Sequence, residues 1–275
     1  MLYFVPTPIG NLDDITVRGL RLLTTTSLIF CEDTRNTKKL ITLLKEKHNI
    51  QNQIEQKFIS FHSHNEQEII KELNPQEFLN KDFLYVSDAG MPCISDPGNL
   101  LVKFAQDNNI KYEVLPGANA VLLALVASGF DGSDFYFYGF LPHKSEARKS
   151  AYKKILDFTC NAIIYESTHR IVKSIEDLKN IEPNREIFVI KEATKKYEIH
   201  FLGSVLEVYE KLKTSNLNGE YVIVIKGKGS FTKIHTNLDE NDILPLNIPN
   251  KQKAKLLSKI TGISSNKWYD RLTKE

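Results

Sequence analysis

The stretch V-S-D-A-G-M-P-C-I-S-D-P-G, residues 86–98, packs two glycines, two prolines and two aspartates into thirteen positions. A plain connection needs far fewer. It follows FLYVS, residues 83–87, an apolar run of strand length. Gly90 permits a positive φ and a close approach of backbone to a ligand. In an open α/β sheet, ligands sit outside the carboxyl ends of strands, which is where this loop falls. The segment is not GxGxxG and no Walker lysine follows, so a nucleotide-phosphate cradle is not supported. A pair of Asx turns with a purely structural purpose is the competing reading.

Working outward, strand-length runs recur at residues 2–5, 27–31, 83–87, 112–115, 135–140, 162–166, 186–190, 198–203 and 220–227. Several are apolar throughout rather than alternating, which predicts sheets covered on both faces. Helical patterns lie between them, at 16–24, 36–47, 66–73, 98–108, 118–128, 144–156, 169–179 and 206–212. This alternation predicts an α/β chain of two domains, with limits at 1–117 and 118–229. After Lys195 the strands follow one another closely, as in a mixed or antiparallel sheet. The tail, 243–275, carries Pro245 and Pro249 and reads as a small module of two helices about a turn at 262–265. Seven basic residues fall in it: Lys251, Lys253, Lys255, Lys259, Lys267, Arg271 and Lys274, against Asp270 and Glu275.

Bulk properties narrow the class. The chain has 275 residues and a formal net charge of +2, so any nucleic-acid affinity must come from uneven charge rather than from the total. Cys31, Cys93 and Cys160 are odd in number and lack CxxC spacing, which argues against a disulfide framework or a zinc site and fits a reducing cytoplasm. The N-terminus lacks a basic n-region and meets Pro6 and Pro8 at once, unlike a signal peptide. No apolar run approaches the ~20 residues of a membrane helix.

Further loops carry chemistry-bearing residues. V-P-T-P-I-G-N-L, 5–12, stiffens a strand-to-helix turn, with Asn11 or Asp13 as a cap. L-P-G-A-N-A, 115–120, is small enough for a flat ring or ribose to lie against its backbone. I-Y-E-S-T-H-R, 164–170, offers Tyr165 for stacking, Ser167 or Thr168 as a cap, and Arg170 for an anion. C-E-D-T-R, 31–35, and S-F-H-S-H-N-E, 60–66, place carboxylates, an arginine and two histidines at strand ends. His62 and His64 share a side only on a strand, and no third ligand follows at metal spacing, so no metal is expected.

Taken together, VPTPIGNLDDIT, EDTRNTKKLI, SFHSHNE, VSDAGMPCISDPG, LPGANA, GFLPHKS, YESTHR, KEATKKYE and NGEYVIVIKG resemble, in order, the tetrapyrrole methylase superfamily, also called class III methyltransferases. They are most similar to its branch of ribosomal small-subunit RNA cytidine 2′-O-methyltransferases. The chain departs from the pattern at Ala118 and Asn119, in KEATKK, and at His143.

The resemblance implies a two-domain α/β fold with S-adenosylmethionine in the cleft between the domains, a homodimer, and a small-subunit ribosomal RNA substrate, methylated at a decoding-centre cytidine. It implies cofactor contacts from Pro8, Asp88, Ala89, Gly90, Met91, Pro92, Gly117, Ala118, Tyr165, Gly219 and Glu220. Candidate catalytic groups are Glu32, Asp33, His64 and Glu66, with the choice left open. Candidate RNA contacts are Arg35, Asn65, Arg170, Lys195, Lys251 and Lys255. Three other readings compete: methylation of a tetrapyrrole or another small molecule, a non-catalytic RNA-binding factor on the same fold, and a nicotinamide-dependent enzyme, the last disfavoured by the missing GxGxxG.

Overall fold

A computed structural model describes residues 1–52, 54–229 and 239–273. Of these, the residues up to 229 form one compact unit, and residues 239–273 belong to a second. Lys274 and Glu275 of the basic tail lie outside the described residues.

The first unit holds two five-stranded sheets. The first sheet is built from β1 (Leu2–Phe4), β2 (Leu28–Cys31), β3 (Lys57–Ser60), β4 (Phe83–Val86) and β5 (Tyr112–Val114), in the order β3-β2-β4-β1-β5. Every pairing in it is parallel. All five strands therefore deliver their carboxyl ends to one edge, and five of the six polar loops of the sequence, all but 164–170, follow these strands. Between the strands run α1 (Val17–Thr25), α2 (Thr34–Lys47), α3 (Glu66–Glu72), α4 (Glu77–Asn80) and α5 (Asn99–Asp107). Leu2, Phe4, Phe30 and Tyr85 pack into one core, Val5, Ile29, Leu84 and Val86 into another. Alternate residues of the same strands thus serve opposite faces, and all four residues of β4 are buried.

The second sheet follows α6 (Ala120–Ser128). It contains β6 (Phe135–Phe140), β7 (Asn161–Ser167), β8 (Glu186–Lys191), β9 (Ile199–Ser204) and β10 (Glu220–Ile225), with α7 (Ser145–Leu156), α8 (Ile171–Lys179) and α9 (Val205–Lys213) between strands. The order is β6-β7-β10-β8-β9. Only β6 and β7 are parallel; the other pairings are antiparallel. The mixed sheet expected after Lys195 is present. One face carries Ile164, Ile187, Val189 and Ile223, and the other carries Ile163, Phe188, Ile190 and Val224 under α6.

Local rules set the helix starts. Thr16 accepts from the Gly19 N–H, Asp33 from Arg35 and Asn119 from Leu122. Gly129, at φ 68°, ends α6 in the left-handed conformation. Asn11 caps only a short 3₁₀ turn, not α1. The runs at 57–60 and 77–80 are elements that the periodicity did not predict. Lys57–Ser60 is a four-residue edge strand that opens on a charge, and Glu77–Asn80 is a single turn.

The second unit contains α10 (Glu240–Ile243), α11 (Asn250–Thr261) and α12 (Ser265–Leu272). Gly262, at φ 71°, turns the chain between the last two. Ala254, Leu257 and Trp268 with Ile243 form its small core, and the Trp268 indole donates to Thr261 at 2.8 Å. No helix among the described residues is long and apolar enough to cross a membrane.

Candidate active site

The loop after β4 is folded back on itself. Gly90 (φ 80°) and Thr7, beyond β1, exchange two backbone hydrogen bonds of 3.0 Å. Cys93 and Ser95 take φ of 68° and 65°, which suit few side chains. The Tyr85 hydroxyl donates to the Pro97 carbonyl at 2.6 Å, which fastens the end of the loop to the strand beneath it. Gly98 (φ 123°) completes this packing, since a Cβ there would stand 2.5 Å from the Tyr85 ring and 2.8 Å from Cys93 Sγ. Glycine is required at this point for space as well as for backbone angle.

The folded loop forms one wall of a cavity of about 300 Å³. Ile9, Ala89, Gly90, Met91, Ile94, Ser95 and Asp96 come from the first half of the unit, and Asn119 and Ala120 from the start of α6. Phe140, Tyr165, Glu166, Ser167, Ala193, Glu220, Tyr221 and Val222 close it from the second sheet. They converge because Glu220 pairs with Ser167 and Tyr221 with Lys191, which brings the start of β10 beside the ends of β7 and β8. Tyr165 sits edge-on to both Phe137 and Phe140, with ring centroids 5.0 and 5.6 Å away. Burial, and then the charge of Asp96, push its hydroxyl up to about 12.

A second chamber, of about 360 Å³, lies beside the first and is lined by Glu32, Ser63, Glu66, Ser95, Asp96, Pro97, Gly98 and Asn99. Ser95 and Asp96 line both. Burial, with the charge of Glu32 next, pushes the Asp96 carboxyl up to about 6. Glu32 is likewise raised, by burial and then by Asp88. One carboxylate oxygen of Glu66 is buried and has no hydrogen-bond partner among the described residues.

The residues expected from sequence fall into groups. Ala89, Gly90, Met91, Tyr165 and Glu220 are on the wall of the first chamber. Pro8, Asp88, Pro92, Gly117, Ala118 and Gly219 stand one or two positions outside it and shape what lies in front. A Cβ on Gly117 would come 2.5 Å from Pro6, and Asp88 accepts from Asp33 N (3.2 Å) and Asn36 Nδ2 (2.7 Å). Glu32 and Glu66 reach the second chamber. Asp33 does not: Arg35 donates to both its oxygens, at 3.2 and 2.7 Å, and those bonds hold its carboxyl down to about 2. His64 is exposed and lines neither chamber.

Among the expected RNA contacts, Arg35 is exposed while bound to Asp33. Asn65 is committed to its own turn, accepting from His62 N at 2.8 Å and donating to the Ser60 carbonyl at 3.0 Å. Lys195 pairs with Glu192 and Glu220, each at 2.9 Å. Arg170 lies 3.2 Å from the fully buried Glu166 and donates to the Leu141 carbonyl at 2.7 Å and to that of Pro142. These contacts give Asn65, Lys195 and Arg170 partners inside the fold. Thr168 does not cap a helix either; its hydroxyl bonds to the backbone of Gly219. Lys251 and Lys255 are exposed on α11. Among the described residues no group of histidines, cysteines and carboxylates is placed to hold a metal.

Sequence reasoning missed Ser95, Asp96, Asn119, Phe140, Ala193 and Val222 as cavity residues. Asp96 carried a signal, as the second aspartate of the decisive loop. Phe140 and Val222 carried none, because strand residues without punctuation look alike whether they face a core or a ligand.

Fold and site together define an α/β enzyme that can hold one small molecule between two sheets and offer it to a second molecule in the adjoining chamber. The family model "Tetrapyrrole (Corrin/Porphyrin) Methylases" matches residues 1–209, and the chain belongs to that family. It is 50% identical, over 99% of both chains, to ribosomal RNA small subunit methyltransferase I of Campylobacter fetus. It is 40% identical to the protein of that name from Helicobacter pylori, over 100% of this chain and 99% of that one. Among solved structures, a cobalt precorrin-4 methyltransferase, CbiF, is similar in fold, with a TM-score of 0.57 at 16% identity, covering 82% of this chain and 94% of that one. Uroporphyrin-III C-methyl transferase from Thermus thermophilus, complexed with S-adenyl homocysteine, gives 0.53 at 16% identity, covering 81% and 96%.

Proposed function

We propose that this chain transfers the methyl group of S-adenosylmethionine to the ribose 2′-hydroxyl of a decoding-centre cytidine in small-subunit ribosomal RNA. The observation that carries this reading is the pair of adjoining chambers, one largely apolar and aromatic, the other lined by carboxylates. The first suits an adenosine and a sulfonium cation: about 300 Å³ is within the range of small-molecule sites, and the wall is mostly apolar and aromatic with a few polar groups. Ala89, Gly90, Met91, Asn119, Tyr165 and Glu220 would hold the donor, whose positively charged sulfur supplies an activated methyl group. The protein's part is alignment and proton handling, and alignment alone is worth several kcal/mol in favourable cases.

The second chamber suits a nucleoside. Glu32 and Glu66 are hydrogen-bond acceptors, matched to ribose hydroxyls and to the amino group of cytosine. Relatives 38–50% identical carry the name ribosomal RNA small subunit methyltransferase I, which supports RNA as the acceptor. Residues 1–117 and 118–229 are the two domains of this reading, and 243–275 its RNA-holding module through Lys251 and Lys255. The chain works as a cytoplasmic homodimer; α6, with Leu122 and Val126 49% and 81% exposed, offers an apolar face for a second copy.

The test is mass mapping of methylated ribose in small-subunit RNA from cells with and without the protein. One 2′-O-methylcytidine should vanish with the protein and return on adding it with the donor; an unchanged map sinks the reading. Ending the chain near Asp242 should weaken RNA binding and flatten its salt dependence. Equal salt slopes with and without the tail would remove the tail from the interface.

A further inference from the structure

We propose that Asp96 is the group that takes the proton from the attacking hydroxyl. This inference rests on the two-chamber reading above and names the catalytic residue within it. Three carboxylates, those of Glu32, Glu66 and Asp96, line the acceptor chamber, but of these only Asp96 also lines the cofactor cavity. A base for this transfer must reach the oxygen at the moment that oxygen meets the methyl carbon, and that meeting is at the boundary of the two spaces. The nearby alternatives are placed differently. Both oxygens of Asp88 already accept hydrogen bonds, as do both of Asp33, which makes Asp33 a weak base.

The loop holds Asp96 at this boundary by its backbone. Ser95 adopts a left-handed conformation, and Pro97 is tied to the Tyr85 hydroxyl on the other side. Gly139, at the irregularity of β6, brings its backbone close enough that a Cβ would touch Ser95 Oγ at 3.6 Å. The residue before Asp96 is thus packed against the second sheet, which supplies Phe140 to the same cavity.

The chemistry balances without a further reactant. The oxygen–carbon bond forms as the carbon–sulfur bond breaks, with its electron pair remaining on sulfur, which loses its positive charge. The hydroxyl proton passes to the Asp96 carboxylate, which becomes a neutral acid and later releases the proton to water. The groups facing Asp96 are Glu32 at the end of β2, Glu66 at the start of α3, Tyr85 on β4, Asp88 and Cys93 in its own loop, and Tyr165 on β7. Burial and the carboxylates raise its affinity for a proton, while the Ser87 hydroxyl opposes them. A carboxyl near 6 is ionised at neutral pH yet more basic than an ordinary aspartate, as general-base work requires.

The experiment follows single-turnover methyl transfer to small subunits by wild type and Asp96→Asn, with three accompanying measurements. Asp96→Asn should slow transfer by about 10²–10⁴-fold while keeping wild-type affinity for S-adenosylhomocysteine by calorimetry. The wild-type rate should climb as pH rises through about 6 and level off above it. The Asp96 carboxyl carbon, followed by NMR in the ligand-free protein, should titrate in the same range. A wild type that transfers nothing overturns the two-chamber reading and this assignment with it. An active wild type with an equally fast Asp96→Asn overturns the assignment alone. So does a variant that loses S-adenosylhomocysteine binding, which would make Asp96 a binding group. Should the variant fail to fold, a wild-type rate that is flat between pH 5 and 8 overturns it just as well.

Discussion

The two halves of the first unit build their share of the site by different means. In the first half the wall is a backbone construction: Gly90 bridged to Thr7, Cys93 and Ser95 at positive φ, and Gly98 pressed against Tyr85. In the second half the wall is made mostly of side chains on strands, with Ala193 from the turn after β8, and the connections behind it are held by ion pairs. Arg170 ties Glu166 to the carbonyls of 141 and 142, while Arg148 holds Asp177 at 2.8 Å and the His143 carbonyl at 3.1 Å. A parallel sheet delivers loops to its carboxyl edge, and loops must be shaped by residue type. A mixed sheet brings strand beginnings and ends to the same edge, so ordinary strand residues suffice and their supports are placed behind them.

The two halves should therefore break in different ways. The largest effect is expected in the second half. Arg170→Met removes the cation from a carboxylate that is fully buried, and such a loss costs about 3–5 kcal/mol. Chemical denaturation should show it, and adding Glu166→Gln should recover a good part. A single variant as stable as wild type would mean that Arg170 does not hold Glu166.

Next comes Gly98→Ala in the first half. Strain at φ 123° and the overlap with Tyr85 should together cost roughly 2–4 kcal/mol and reduce cofactor affinity as the loop shifts. No change in either quantity would show that the loop is less tightly shaped than its contacts imply.

The smallest effect has the opposite sign. Asp96 holds its proton more tightly in the folded chain, at about 6, than an unfolded aspartate does at about 3.9. Its ionised form is therefore penalised by folding. That penalty is absent below pH 4, grows as pH rises, and is complete above about 6. Asp96→Asn should stabilise the protein by roughly 1–2 kcal/mol at pH 7.5, after a discount for partial exposure, and by almost nothing at pH 4. Thermal melts at the two pH values measure this. A variant no more stable at pH 7.5 would mean that the carboxylate is better solvated than its setting suggests.

The same contrast explains what could be read in advance. The first-half loops were legible because glycine, proline and aspartate mark special backbone, so the segments were located even though Pro8, Asp88, Pro92, Gly117 and Ala118 fall a residue or two outside the wall. Tyr165 and Glu220 were legible through the motifs containing them. Phe140 and Val222 were not, because a strand pattern records burial and not what lies opposite. The partners of the polar groups were not legible. Arg170, Lys195 and Asn65 look like free ligand contacts in a string of letters, and they bind Glu166, Glu192 with Glu220, and the turn at 60–62 respectively.

Periodicity and punctuation in the sequence determined the alternation of strands and helices, the mixed second sheet, the two tail helices and the loops that surround the site. Those are local matters, settled by side-chain spacing and by the backbone angles that particular residues allow. Only the tertiary structure decided which face of each loop meets the cavity, that Asp96 joins two chambers, and which charges neutralise one another. These depend on strand order and on distances between residues far apart in the chain, such as Glu32, Asp96 and Tyr165, and pairing across such separations leaves no mark in the local pattern.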